Sequence, residues 1–206
     1  MNKAVFLDRD GVINVDRGYT YRIEDFEFID GVFEACKLFA ALGYRLIVVT
    51  NQSGIGRGLY SEQDFLTLTE WMKGQFRSQG ITLDAVYFCP HHPEQGQGSY
   101  KQFCECRKPQ PGMLLQGIAE FGLEPDRCVM FGDKVSDLEA AKAAGIGRKV
   151  LVGSQRASLQ TYHPWPTRFG RALLKRKDGS DSRSLAQRCF ELFLLHCALN
   201  QRSLFL

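Results

Sequence analysis

The sequence predicts an α/β fold in three layers, with a mostly parallel sheet between helices on both faces. Three observations carry this. Short apolar runs alternate with segments of helical periodicity from Lys3 to Gly153. The runs are near-continuously hydrophobic, as strands buried on both faces are. Polar residues (Asp8 and Asp10, Thr50 and Asn51, Asp133) follow three of those runs directly, where ligands bind in open parallel sheets.

The first strand is Val5-Phe6-Leu7, which ends in Asp8-Arg9-Asp10-Gly11. Residues two apart in a strand share a face, so the Asp8 and Asp10 carboxylates are expected to meet at the strand tip. Gly11 lets the chain turn away there. Paired carboxylates raise one another's pKa unless a cation intervenes, and a hard cation such as Mg2+ is held by one or two carboxylates plus substrate phosphate.

An aromatic and polar loop to about Asp30 comes next, then a helix carried by Val32, Phe33, Cys36, Phe39 and Ala40 and stopped by Gly43. Tyr44–Thr50 is the second strand. Ser61 with Asp64 resembles a capping box for a helix whose apolar face is Phe65, Leu68, Met72 and Phe76. Ala85–Phe88 is the third strand. Pro111 opens a helix at its first turn, carried by Met113, Leu114, Ile118 and Phe121. Arg127–Gly132 is the fourth strand, Ser136–Ala144 a helix and Lys149–Val152 the fifth strand.

At 206 residues the chain suits one well-buried domain with a tail. The boundary is expected at 153, with a core over 1–153 and an atypical basic and apolar extension over 154–206. Arg156–Gly179 is basic and broken by Pro164, Pro166 and Gly170; Ser182 or Ser184 is expected to cap a final helix to about Asn200. A net charge of +3 is too small to argue for nucleic acid. Phe190–Leu199, the longest apolar run, is too short to span a bilayer. With no leader pattern at Asn2-Lys3, the expectation is a cytoplasmic monomer free of membranes.

Thr50-Asn51-Gln52-Ser53-Gly54-Ile55-Gly56 offers a hydroxyl, amides and backbone N–H groups to an anion. Lys108, after Arg107, suits neutralisation of a transferring phosphoryl group. Asp133 can hold the cation and Lys134 a second anionic group. Asp137 lies in a helix first turn, where a carboxylate is favourable for the dipole alone, so it ranks below Asp133. Cys89, His91, Cys104 and Cys106 have the composition of a closed, structural Cys3His zinc site. His91 is preferred to His92 because Cys-x-His then mirrors Cys-x-Cys. Such a clip would order a Gly- and Gln-rich loop that has little core of its own, and would fix Arg107 and Lys108. The scattered Cys36, Cys128, Cys189 and Cys197 read as small core residues.

Together these pieces resemble the haloacid-dehalogenase-like phosphatase superfamily, whose Rossmann-like core matches about residues 3–153. The resemblance implies Asp8 as nucleophile and Asp10 as general acid and base. It also implies Thr50 and Lys108 on the phosphoryl oxygens, with Mg2+ on Asp8, the Asp10 backbone carbonyl and Asp133. With its zinc loop, the chain most resembles the subgroup that removes the 7-phosphate of D-glycero-D-manno-heptose 1,7-bisphosphate in the synthesis of nucleotide-activated heptose for surface glycans such as lipopolysaccharide. Substrate contacts would then fall on Asp16, Arg17, Gly18, Tyr19, Asn51, Gln52, Ser53, Arg107 and Lys134, and the ligand is a small phosphorylated sugar. Neither Asp10–Gly31 nor Cys89–Arg107 is long enough for a cap domain. Histidinol-phosphate phosphatases and polynucleotide 3′-phosphatases are the alternatives within the superfamily. A zinc-stabilised scaffold that binds anions through its basic tail is the non-enzyme alternative.

Overall fold

The computed structural model describes residues 2–152. The expected final helix, the basic stretch, Cys189 and Cys197 lie outside these residues.

Five parallel strands form one sheet: β1 (Ala4–Leu7), β2 (Arg45–Asn51), β3 (Ala85–Cys89), β4 (Val129–Gly132) and β5 (Arg148–Leu151), in the order β3-β2-β1-β4-β5. The order follows from crossover handedness. Right-handed connections that step one way from β1 leave their helices on one face, and those that step back leave them on the other. Register sorts the side chains accordingly. Phe6 pairs with Ile47 and Met130, and Leu7 with Val48 and Phe131.

On the first face, Phe6, Ile47, Val49, Tyr87 and Met130 pack with Met113 and Leu114 of α4 (Gly112–Phe121) and with Ala140 and Ala141 of α5 (Val135–Ala143). On the second, Phe131 meets Phe39 of α1 (Val32–Ala41) with ring centroids 5.7 Å apart. Phe88 meets Phe65 of α3 (Glu62–Ser78) at 4.4 Å. Phe6, Ile47, Val48 and Phe131 are all fully buried, and each such side chain contributes about 1.5–3 kcal/mol through area removed from water.

The elements fall within a residue or two of those expected. The Ser61 capping box is present, with Ser61 Oγ accepting from the Asp64 amide at 3.1 Å and Asp64 Oδ2 from the Ser61 amide at 2.8 Å. Tyr44 is excluded from β2 because its amide closes the turn onto the Phe39 carbonyl at 3.0 Å. Pro111 is the residue before α4 rather than its first, and Pro125–Arg127 forms a 3-10 turn that delays β4. A one-turn helix, α2 (Ser53–Gly56), stands where only a polar loop was expected.

The segment between Asp10 and α1 folds back on itself. Val15 donates to the Glu27 carbonyl and Ile29 to the Ile13 carbonyl, both at 2.9 Å. Phe28 anchors its base against Phe33 and Trp71. No cap domain is present among the described residues, and none of their helices is long and apolar enough to cross a membrane.

Candidate active site

The sheet order reverses between β1 and β4, and the crevice beyond their carboxyl ends is where an open α/β sheet binds its ligand. The Asp8 amide continues the ladder onto the Phe131 carbonyl at 2.9 Å, which places Asp8 in that crevice with Asp133 just past β4. Ligand atoms of Asp8, Asp133 and Asp137 lie within 4.8 Å of one another.

Two glycines make this approach possible. A Cβ on Gly11 (φ +84°) would stand 2.5 Å from Asp133 Oδ2, and one on Gly132 would stand 2.2 Å from the Asp137 Cβ. Both contacts are far inside van der Waals distance.

Lys108 lies fully inside this group. Its ammonium is 2.7 Å from Asp137 Oδ1 and 2.9 Å from Asp8 Oδ1, and it donates to the Val49 carbonyl at 2.9 Å. Burial pulls its pKa down, but the two carboxylates outweigh that and leave it raised. The Lys108 contact to Asp8 falls on Oδ1, which also accepts from the Arg9 amide at 2.8 Å. Oδ2 carries none of these contacts. Asp137, ranked below Asp133 from sequence, is thus the closer partner of Lys108, and its Oδ2 accepts from the Lys134 amide at 3.0 Å. A first-turn aspartate gave no signal to distinguish this role from ordinary capping.

Burial pushes the Asp133 carboxyl up to about 7, helped by Asp8 and Asp137 and opposed by Lys134. Its Oδ1 is buried without a hydrogen-bond partner. An orphaned, desolvated carboxylate oxygen beside a second carboxylate fits a hard divalent cation, so the residues present suit Mg2+ at Asp8 and Asp133.

Asp10 departs from expectation. Its carboxylate does not join the Asp8 cluster. Arg9, buried between the two acids, grips it through Nε at 3.2 Å and Nη2 at 3.0 Å, and Nη2 also donates to the Thr20 carbonyl at 2.7 Å. Asn14 Nδ2 donates to Asp10 Oδ1 at 3.0 Å and Gln52 Nε2 to Oδ2 at 3.1 Å. The two-residue spacing brings both acids to the strand tip, but the turn at Gly11 and these donors aim them differently. The Arg between the aspartates was the signal that could have disclosed this.

Thr50 is buried, and its Oγ1 accepts from Gln52 Nε2 at 2.8 Å, so its own hydrogen is left to donate. Asn51 faces inward. Its Nδ2 donates to the Lys108 carbonyl and its Oδ1 accepts from the Lys108 amide, each at 3.1 Å. Its amide therefore fixes the backbone that carries the lysine. Ser53 is half-buried at the start of α2.

The 16–19 segment sits at the loop tip. Asp16 Oδ1 accepts from the Gly18 amide at 3.0 Å, and Asp16 Oδ2 pairs with Lys134 Nζ at 3.2 Å. Partial burial raises the Asp16 pKa, but Gly18 and Lys134 more than offset it and hold the carboxyl low. Arg17 pairs with Glu27. Tyr19 is exposed at φ +53°, with the Arg57 guanidinium 5.6 Å from its ring centroid.

Cys89, His91, Cys104 and Cys106 converge as one cluster. Sulfur separations of 2.9, 3.3 and 3.5 Å, with His91 Nδ1 at 3.5 and 3.7 Å from two of the sulfurs, are too long for disulfides. They approach the edges of a tetrahedron around zinc, ~3.8 Å for Zn–S bonds of about 2.3 Å. His92 turns away and accepts from the Glu94 and Gln95 amides. Arg107 Nη1 donates to the His91 carbonyl at 3.1 Å, which ties the clip to the loop that delivers Lys108.

Comparison with known proteins agrees with this geometry. A HAD-hydrolase-like family model matches residues 105–174. The D-glycero-β-D-manno-heptose-1,7-bisphosphate 7-phosphatase of Pasteurella multocida is 55% identical over 152 residues, 74% of this chain and 82% of that protein. The α-anomer enzyme of Burkholderia mallei is 53% identical over 157 residues, 76% and 83% of the two chains. The crystal structure of the D,D-heptose 1,7-bisphosphate phosphatase of B. bronchiseptica, complexed with magnesium and phosphate, superposes with a TM-score of 0.68. It shares 26% identity and covers 95% of this chain and 99% of that one. With these relatives matched over more than three quarters of their length, the chain belongs to the D-glycero-D-manno-heptose-1,7-bisphosphate 7-phosphatase family of HAD-like hydrolases.

Proposed function

We propose that this protein is a Mg2+-dependent phosphatase that removes the 7-phosphate of D-glycero-D-manno-heptose 1,7-bisphosphate through an aspartyl-phosphate, in the synthesis of nucleotide-activated heptose. The observation that carries the reading is Asp8, held by Lys108 and the Arg9 amide on Oδ1 alone, within 4.8 Å of the Asp133 and Asp137 ligand atoms. Activity and substrate are those named for its relatives.

In this reading Asp8 Oδ2 attacks phosphorus and the bond to the sugar C7 oxygen breaks. Asp10 gives its proton to that oxygen as it leaves. Asp10 then takes a proton from water, whose oxygen attacks the acyl-phosphate, and the Asp8 carboxylate is released with inorganic phosphate. Thr50 Oγ and Lys108 Nζ hold the equatorial oxygens, where negative charge concentrates. Asp8, Asp133 and the Asp10 carbonyl would hold Mg2+, whose charge would offset that of the phosphate.

Arg107 and Lys134 suit the phosphate that does not react, since a guanidinium binds phosphate in bidentate fashion. Asp16–Tyr19 and Ser53 complete the substrate set taken from the resemblance, while Asn51 and Gln52, also in that set, have their side-chain amides engaged inside the protein. Zinc in the Cys3His cluster is structural. Residues 1–153 form the catalytic core and 154–206 an extension; in support, the last strand among the described residues, β5, closes at Leu151. Clustered thiols fit the cytoplasm, and the protein acts as a monomer on a small sugar.

Phosphate release from both anomers of the heptose bisphosphate, from histidinol phosphate and from a 3′-phosphorylated oligonucleotide tests the reading. Turnover of a heptose bisphosphate at least about a hundredfold above the others in kcat/KM is expected. Preference for either other substrate overturns it.

A further inference from the structure

Gln52 was expected among the substrate contacts, yet it is 2% exposed and both ends of its amide are engaged inside the protein. Nε2 donates to Asp10 Oδ2 at 3.1 Å and to Thr50 Oγ1 at 2.8 Å, while Oε1 accepts from the Tyr60 hydroxyl at 2.5 Å. The amide has one orientation. While Asp10 is ionised its oxygens only accept, so the nitrogen faces Asp10 in that state and the oxygen faces a phenol that donates. Tyr60 is buried in turn and stacks on Tyr21, centroids 5.1 Å apart and planes 7° from parallel.

The geometry points to Gln52 as a positioning residue, held by Tyr60, that fixes the Asp10 carboxylate and the Thr50 hydroxyl relative to each other. This rests on the roles given to Asp10 and Thr50 above. One –NH2 group bridges the proton donor for the leaving oxygen and the donor to a phosphoryl oxygen. Their separation is then set by a single planar group rather than by two strands that can breathe independently. Asp10 has other holders in Arg9 and Asn14, but neither of these contacts is one that also reaches Thr50. Small misplacements of an acid matter because proton transfer needs hydrogen-bond reach. A contact of this kind acts on the chemical step and leaves sugar binding alone.

The test uses the full-length Mg2+-loaded protein with two substrates, the heptose bisphosphate and p-nitrophenyl phosphate, whose leaving group departs without protonation. Gln52→Ala is expected to lower kcat/KM, which reports phosphoryl transfer ahead of the shared hydrolysis step, about a hundredfold for the sugar with KM changed less than threefold, and about tenfold or less for the aryl phosphate. Tyr60→Phe keeps the ring stack and is expected to shift the same ratio by a smaller factor, so the test survives if Gln52→Ala folds poorly. A rise in KM at constant kcat, or equal losses on both substrates for both variants, overturns the inference. Asp10→Asn is the control. If it shifts the sugar-to-aryl ratio and the Gln52 and Tyr60 variants do not, the coupling alone fails; if it leaves the ratio at the wild-type value, the role of Asp10 fails and the inference falls with it.

Discussion

Replacing Lys108 by Met removes a cation that has no solvent to replace it. The ammonium is completely buried, 2.7 Å from Asp137 Oδ1 and 2.9 Å from Asp8 Oδ1. Met fills most of the volume, so the cost is electrostatic. At these distances each pair is attractive by about 6 kcal/mol at an effective dielectric of ~20, but desolvation of the ions consumes much of that. Removing one partner of a buried pair costs about 3–5 kcal/mol, because the remaining charge is stranded; here two carboxylates are stranded facing each other. Because its folded pKa is raised above 10.5, the lysine contributes its stabilisation in full at every pH below that value, and loses it only as pH rises through the folded pKa.

The expected result for Lys108→Met in metal-free protein at pH 7 is therefore a loss of about 3–5 kcal/mol in urea unfolding, with the midpoint lowered and the slope unchanged. Adding Asp137→Asn removes one stranded charge, so the double variant should be at least ~1 kcal/mol more stable than the sum of the single losses implies. A loss under about 1 kcal/mol, or strict additivity, would refute the reasoning that this lysine neutralises two buried acids.

Four further outcomes follow. Mg2+ must displace the proton from Asp133, whose carboxyl is raised to about 7, so Mg2+ affinity measured by calorimetry should tighten about tenfold per pH unit up to 7 and level off above it; a flat profile from pH 5 to 8 contradicts the assignment. The same shift makes the metal-free fold lose stability as pH climbs from 3.8 towards 7, since the folded state keeps a proton the unfolded chain has released. Cys104→Ser should abolish zinc detected by elemental analysis and, through the Arg107–His91 contact, raise KM as well as reduce thermal stability; zinc-free wild type removes the idea. Arg107→Ala should raise KM for the bisphosphate about tenfold or more while changing KM for a monophosphate much less, checked by steady-state phosphate release.

The strands were legible because buried parallel strands read as apolar runs: AVFL, RLIVVTN and VMFG have no competing reading once helical segments separate them. The convergence of Cys89, His91, Cys104 and Cys106 was legible from residue type and spacing, and the loop that carries them leads into Lys108. What sequence did not disclose depends on contacts between distant side chains. Asp137 is 29 residues beyond Lys108 and looks like a helix cap. The capture of Asp10 by Arg9, Asn14 and Gln52 follows from the turn at Gly11, which no periodicity describes. Gln52 read as a loop amide because nothing in one dimension places Tyr60 beside it. One-turn α2 is too short for a periodic signal.

The central claim is that Asp8 becomes covalently phosphorylated during turnover. Rapid acid quench of the Mg2+-loaded enzyme mixed with the heptose bisphosphate, followed by peptide mass spectrometry, tests it directly. A phosphoryl adduct confined to Asp8, present in the first turnover and enriched in Asp10→Asn, is the predicted result. Product released in the first turnover with Asp8 unmodified at every quench time would contradict it.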